Sequence, residues 1–333
     1  MWKQVLLSLL LVVFLIIGGL VWDAGHSLRA DRLTITAIRV KKTPTGLDDS
    51  IWRKTREVSV PVKGRDRLAD KEGMVKIRAL YTDRDIYFRL NWDDPTRSVT
   101  KQSWIFDGKT WRHLEGNEDR IALLFEITRI KKFATRGCAV TCHSPADVPK
   151  NDWQFATRTA DEKGDLWHWK AARSDPYRHA DDAWLTVAGN PTGSYRETGR
   201  RKDAGTGGDV QNQTADKSKP LYMQDPNKSP SVQGFLLFEE TVKIEDYSIF
   251  KAGDLIPFRL PRKPSGSRFD VEAQSNYTKE SWTVMLYRKL DTGHEDDVIF
   301  NPLKRYSFAV AVFDDSGGDH SKATLPLTLE FKR

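Results

Sequence analysis

The stretch Val75-Lys76-Ile77-Arg78-Ala79-Leu80-Tyr81-Thr82-Asp83-Arg84-Asp85-Ile86-Tyr87-Phe88-Arg89-Leu90 decides the fold class. Val75, Ile77 and Ala79 alternate with Lys76 and Arg78, the two-residue period of a half-buried strand, and Thr82 to Asp85 supply turn chemistry between two such runs. The segment predicts a hairpin. Working outward, Ile121 to Ile127 (IALLFEI) is a more apolar run, expected to be a central strand. Trp282 to Lys289, Ser307 to Phe313 and Leu325 to Phe331 repeat the pattern, each bounded by Gly, Pro, Asp or Asn. Short strands at this spacing predict an all-β chain built as a single β-sandwich.

Composition agrees. In 333 residues, 11 Trp, 15 Phe and 9 Tyr favour a sheet-rich core or a lined cofactor pocket over a bundle of Leu and Ala helices. With 2 Cys there is no disulfide scaffold, and 39% hydrophobic with 30% charged residues is the balance of a folded chain. The net charge of +7 biases the protein toward acidic partners. Basic residues interleaved with acidic ones, as in Asp83-Arg84-Asp85, give no nucleic-acid patch, so no nucleic-acid partner is expected. Nucleophile elbow, phosphate-cradling loop and HExxH helix are absent from the sequence, which argues against an enzyme in its own right.

Val5 to Trp22 is an uncharged run of about eighteen residues after Lys3, long enough to cross a bilayer. Cleavage sites are poor, since Ala24 has Trp22 and Ala30 has Leu28 at the position where a small residue is needed. The expected organisation is an uncleaved membrane anchor over 1–24, a linker over 25–44 and one domain over 45–333. Insertions poor in apolar residues are placed near 196–232 and 253–277. Arg29, Arg32 and Arg39 after the span run against the positive-inside rule for an outside body, so another feature must set the side.

That feature is Gly137-Cys138-Ala139-Val140-Thr141-Cys142-His143, which holds both cysteines of the chain. Two thiols able to add to haem vinyl groups, followed by a His that can reach the iron, follow the logic of c-type attachment, here with three residues between the cysteines rather than two. A structural zinc site lacks its second ligand pair, and a Cys138–Cys142 disulfide leaves His143 without a role. One covalently attached haem c, with His143 as proximal ligand, is therefore expected, and it puts the body on the outer, periplasmic side of a bacterial inner membrane. For the distal ligand, His113, His168, His179, His294 and His320 and Met74, Met223 and Met285 are available. His168 stands in the aromatic run Asp165-Leu166-Trp167-His168-Trp169-Lys170, Met223 follows a polar excursion, and His320 lies in a turn read as flexible between the last two strands. Pattern alone leaves these three open. Trp153, Trp167 and Trp169 are expected to keep water from the haem.

With these pieces in hand the chain resembles the haem-binding domain family of the ethylbenzene dehydrogenase gamma subunit and its relatives in dimethylsulfide dehydrogenase and selenate reductase, in a c-type cytochrome branch. The resemblance rests on Asp119-Arg120-Ile121-Ala122, Gly137 to His143, Asp165 to Ala171, Ala180-Asp181-Asp182, Pro220-Leu221-Tyr222-Met223 and the closing hairpin Tyr306 to Phe331. It implies an immunoglobulin-like or DOMON-like sandwich that holds one haem between loops at one end. It also implies electron exchange with a molybdenum enzyme of the DMSO reductase type or a soluble cytochrome. Mapped onto the b-type members, His143 falls near their Met ligand and His320 near their Lys ligand, which puts His320 ahead of His168 and Met223. The alternative reading is a haem-based or non-haem ligand-binding sandwich tethered to the membrane. The pair Asp181-Asp182 is expected to serve a turn or cap.

Overall fold

A computed structural model describes residues 33–64, 68–141, 155–188 and 199–333. The anchor read from the sequence lies outside them, and among the described residues no helix is long and apolar enough to cross a membrane. The strands, in chain order, are β1 (Leu33–Arg39), β2 (Val58–Lys63), β3 (Glu72–Tyr81), β4 (Asp85–Asp93), β5 (Ser103–Phe106), β6 (Trp111–His113) and β7 (Arg120–Glu126). After a helical turn α1 (Phe133–Arg136) come β8 (Gly164–Lys170), β9 (Asp181–Leu185), β10 (Arg200–Lys202), β11 (Asp209–Gln211), β12 (Tyr222–Gln224) and β13 (Thr241–Lys243). The chain closes with β14 (Leu255–Pro257), β15 (Arg259–Pro261), β16 (Glu272–Thr278), β17 (Ser281–Lys289), β18 (Tyr306–Phe313), β19 (Ser321–Ala323) and β20 (Leu327–Lys332).

The predicted hairpin is β3–β4, antiparallel with Ile77 opposite Leu90 and Ala79 opposite Phe88. One hydrogen-bonded path runs β10-β9-β8-β7-β18-β19-β2-β3-β4-β17-β16, and β1 pairs in parallel with both β3 and β20. The path folds over itself because its apolar residues alternate. Residues of β3, β4 and β17 on one side and of β7, β8 and β18 on the other bury a common interior. Phe88 of β4 meets Phe125 of β7 with ring centroids 5.7 Å apart, and Trp92 of β4 meets Trp169 of β8 at 6.1 Å. Rings in tilted and edge contact at these distances fill the volume between layers and add to the area they remove from water.

The two stretches read as insertions carry more structure than their composition suggests. β10 extends the main sheet beside β9, β11 pairs with β15, β12 with β13, and β14 with β5. A few apolar side chains suffice because they converge on Trp104, which packs with Ile244, Ile256 and Phe258 and donates its indole N–H to the Asn212 carbonyl at 2.6 Å. The second stretch ends in β16, an edge strand of the main sheet, rather than in a loop. Its half-exposed sequence EAQSNYT hides that pairing.

Candidate functional site

The two faces of β8 do different work. Alternation turns Asp165, Trp167 and Trp169 toward the interior and Leu166, His168 and Lys170 away from it. Trp167 lies against Phe88 and Phe125, and Trp169 against Trp92 and Trp282, so both indoles belong to the sandwich core. They stand behind the strand that carries His168, on its opposite face.

The outward face of β7, β8 and β18 is paved with Ala122, Leu124, Leu166 and Ala309, and Cys138 packs onto it together with Ile130 and Phe133. The local sequence places the thiol there. α1 ends at Gly137, whose φ of 56° lies in the left-handed region and whose added Cβ would meet the Ala309 methyl at 3.9 Å. A 3-10 turn over Gly137–Val140 follows, and both the N–H and the hydroxyl of Thr141 donate to the Cys138 carbonyl, at 2.9 and 3.0 Å. The Ala156 N–H donates to the Thr141 carbonyl at 2.9 Å, and the Gly199 N–H to the Phe155 carbonyl at 2.8 Å. Cys142, His143 and Trp153 lie outside the described residues.

His168 is 7% exposed, and its Nε2 has no hydrogen-bond partner among the described residues. Burial, with Lys170, Arg200 and Arg120 nearby, holds its pKa well below the usual histidine value, so the imidazole is neutral with a lone pair to offer. Its ring stacks on Phe313 at 5.3 Å, and Phe313 in turn meets the His320 ring at 5.0 Å. His320 is half-buried, with Nδ1 2.9 Å from the Gly318 carbonyl. Its turn was expected to be flexible. Instead the Asp315 carboxylate takes the Asn117 N–H, the Asp315 N–H reaches Asp119 Oδ1 at 3.2 Å, and Arg120 reaches both Asn117 and the Gly317 carbonyl. Arg120 also lies 5.8 Å over Phe313.

The structure thus brings Cys138, His168 and His320 to one face of the same three strands. Met223 is placed elsewhere, on β12 against the Trp104 cluster. Sequence reading gave no role to Phe313 or Arg120. Their signal was the register, which sets Phe313 opposite Arg120 and Arg120 opposite Lys170. Asp181 and Asp182 lie within β9, where burial on opposite faces replaces the expected turn or cap role. Burial alone would raise the Asp181 carboxyl, yet Lys170, Arg200 and Arg268 hold it well below the usual carboxylate range. Arg268 Nε donates to it at 2.7 Å and Arg200 at 3.1 Å.

His179 makes a separate, testable point. It is 1% exposed, and burial pulls its pKa down to about 4 against the attraction of Asp181. The unfolded chain takes up this proton first as pH falls, so the residue costs nothing above about pH 6.5. It destabilises the fold increasingly below that, by about 3 kcal/mol near pH 4. A His179→Phe variant is expected to lose less stability than the parent between pH 6.5 and 4.5 in urea titrations. Parallel pH profiles for the two chains would refute this.

Among curated proteins the chain has no match. Solved structures similar to it include a carbohydrate binding module family 9 from Caldicellulosiruptor kristjanssonii in complex with glucose, at 9% identity, covering 91% of this chain and 96% of that one, with a TM-score of 0.33. The same module in complex with cellotriose gives 9% identity, 90% and 93% coverage and a TM-score of 0.34. A protein from Bacteroides uniformis ATCC 8492 gives 7% identity, 91% and 100% coverage and a TM-score of 0.37. Likenesses this distant carry no argument about ligand. Residues 49–324, which include the cysteine heptad, all of β8 and the turn that bears His320, match the model for ethylbenzene dehydrogenase, and the chain belongs to that family.

Proposed function

We propose that the protein is a membrane-anchored periplasmic c-type cytochrome, carrying one haem held through Cys138, Cys142 and His143 and passing single electrons to or from a redox partner. The observation that carries this reading is the face described above. It joins a buried Cys138, a floor of alanine and leucine side chains and a buried neutral imidazole whose Nε2 has no partner among the described residues. An orphaned buried nitrogen costs free energy unless something accepts its lone pair, and iron does so. These residues fit a flat, largely apolar group anchored at one end and ligated on the iron axis. When bound, the haem would supply a reversible one-electron couple, and the chain would bind it, exclude water and set its potential.

Two imidazoles on this face touch Phe313. The family resemblance favours His320 as distal ligand, while the unpartnered Nε2 favours His168. The measurement is a pyridine haemochrome assay on protein made with haem-maturation machinery, followed by absorption spectra of His320→Ala and His168→Ala. A c-type band and a low-spin parent are expected, with conversion to high spin in the variant that lost the ligand. Haem-free protein would sink the cytochrome reading, and a low-spin spectrum in both variants would remove both candidates.

The partner would be an acidic protein, either a molybdenum enzyme of the DMSO reductase type or a soluble cytochrome. The family is that of an oxidoreductase subunit, and a chain of net charge +7 attracts a negative surface at low salt.

A further inference from the structure

At the end of the sandwich away from the β19 hairpin turn, Asp165, Asp182, Asp203, Asp296 and Asp297 converge. Ligand oxygens of Asp203, Asp296 and Asp297 lie within 4.8 Å of one another, as do those of Asp165, Asp182 and Asp297. Arg288, fully buried, meets part of this charge: Nη1 donates to Asp165 Oδ2 at 2.8 Å and to Asp297 Oδ1 at 2.7 Å, and lies 3.7 Å from Asp182 Oδ2. The remaining oxygens are the unusual feature. Asp203 is 4% exposed and, among the described residues, neither of its carboxylate oxygens has a hydrogen-bond partner; Asp165 Oδ1 and Asp182 Oδ2, on residues with no exposure at all, have none there either. Burial and mutual repulsion push Asp203 up to about 8 and Asp297 up to about 7.

Several buried carboxylates facing one guanidinium leave charge uncompensated, at a cost of several kcal/mol per ion. Either protons or a cation must relieve it. The unpartnered ligand atoms are all oxygens; Asp297 Oδ2 also accepts from the Thr292 hydroxyl at 2.5 Å, and the nearby His294 Nδ1 is engaged by Asp270 at 2.6 Å. That donor set suits a hard divalent ion with room for six to eight oxygens rather than zinc or copper. We propose that Asp203, Asp296 and Asp297 form a calcium site, with Asp165, Asp182 and Arg288 behind it orienting Asp297. Asp203 directly follows the edge strand β10, and Asp296 and Asp297 lie in the connection from β17 to β18, so the ion would clip a sheet edge to the crossover between layers. β10 also supplies Arg200, which ion-pairs with Asp181 on the outward face, so the clip would steady one wall of the haem-binding face.

The test uses the full chain, stripped with chelator and titrated with calcium chloride alone in a calorimeter at pH 7.5. One ion per chain is expected, with protons released on binding and the thermal midpoint raised by several degrees. Asp203→Asn is expected to weaken binding by at least about tenfold. Asp296→Asn, at a half-buried position, serves if the first variant does not fold. No binding heat and no thermal shift would overturn the proposal and leave protons as the neutralising species. Undiminished affinity in both variants would overturn it by placing any calcium elsewhere. Haem content does not enter either readout.

Discussion

A chain with both Cys138 and Cys142 replaced by Ala is expected to release all of its haem into acidified acetone, whereas the parent retains it. In the proposed attachment each thioether is a covalent bond, so losing both would convert retention into ordinary ligation, which acid breaks. A single Cys138→Ala chain is expected to keep its haem through Cys142. The fold should survive these changes: Cys138 is one small member of an apolar cluster that includes Phe133, Leu124 and Leu166, so its truncation to Ala costs on the order of 1 kcal/mol. Far-ultraviolet circular dichroism would confirm that the variant is folded before the extraction is read. Covalent haem in the double variant, or none in the parent, would defeat the attachment reading.

Replacing Arg288 by Met is expected to be the most damaging single change to stability, at about 3–5 kcal/mol near neutral pH. The side chain has no exposure, and it is the cation shared by Asp165, Asp182 and Asp297. Its Nη2 also donates to the Val298 carbonyl at 2.7 Å, which the variant leaves unmet. The pH dependence has a definite sign. Burial already raises the Asp165, Asp182 and Asp297 carboxyls above their unfolded value, and losing the guanidinium raises them further. A raised carboxyl holds its proton in the folded state, so its stabilising contribution is present at low pH and is lost as pH rises through the folded pKa. The deficit of the variant should therefore shrink toward pH 5 and widen toward pH 8, measured by urea unfolding with chelator present. A deficit below about 1 kcal/mol at pH 7.5 would show that the pocket does not depend on Arg288.

Much of the fold was legible because strands declare themselves by alternation. Val75 to Leu90 announced β3 and β4, and Ile121 to Ile127 announced β7, since burial on one or both faces leaves a local trace in residue type. β16 was missed because an edge strand with one wet face reads like a polar loop. The short pairs β11–β15 and β12–β13 were missed because three residues carry too little period to register.

The site divides along the same line. The family followed from short motifs in a characteristic order, among them the heptad Gly137 to His143, whose proposed attachment chemistry needs particular residues at near-fixed spacing. What the chain alone determined, then, is an all-β body and its family membership, with two cysteines and a histidine set together in one heptad. Tertiary structure alone decided which side of β8 the indoles face, that His168 and His320 meet across Phe313 while Met223 packs with Trp104, and that Asp165, Asp182, Asp203 and Asp297 share one buried pocket with Arg288. Those outcomes depend on the pairing of strands more than a hundred residues apart, and no local pattern records which distant strand a given residue will lie beside.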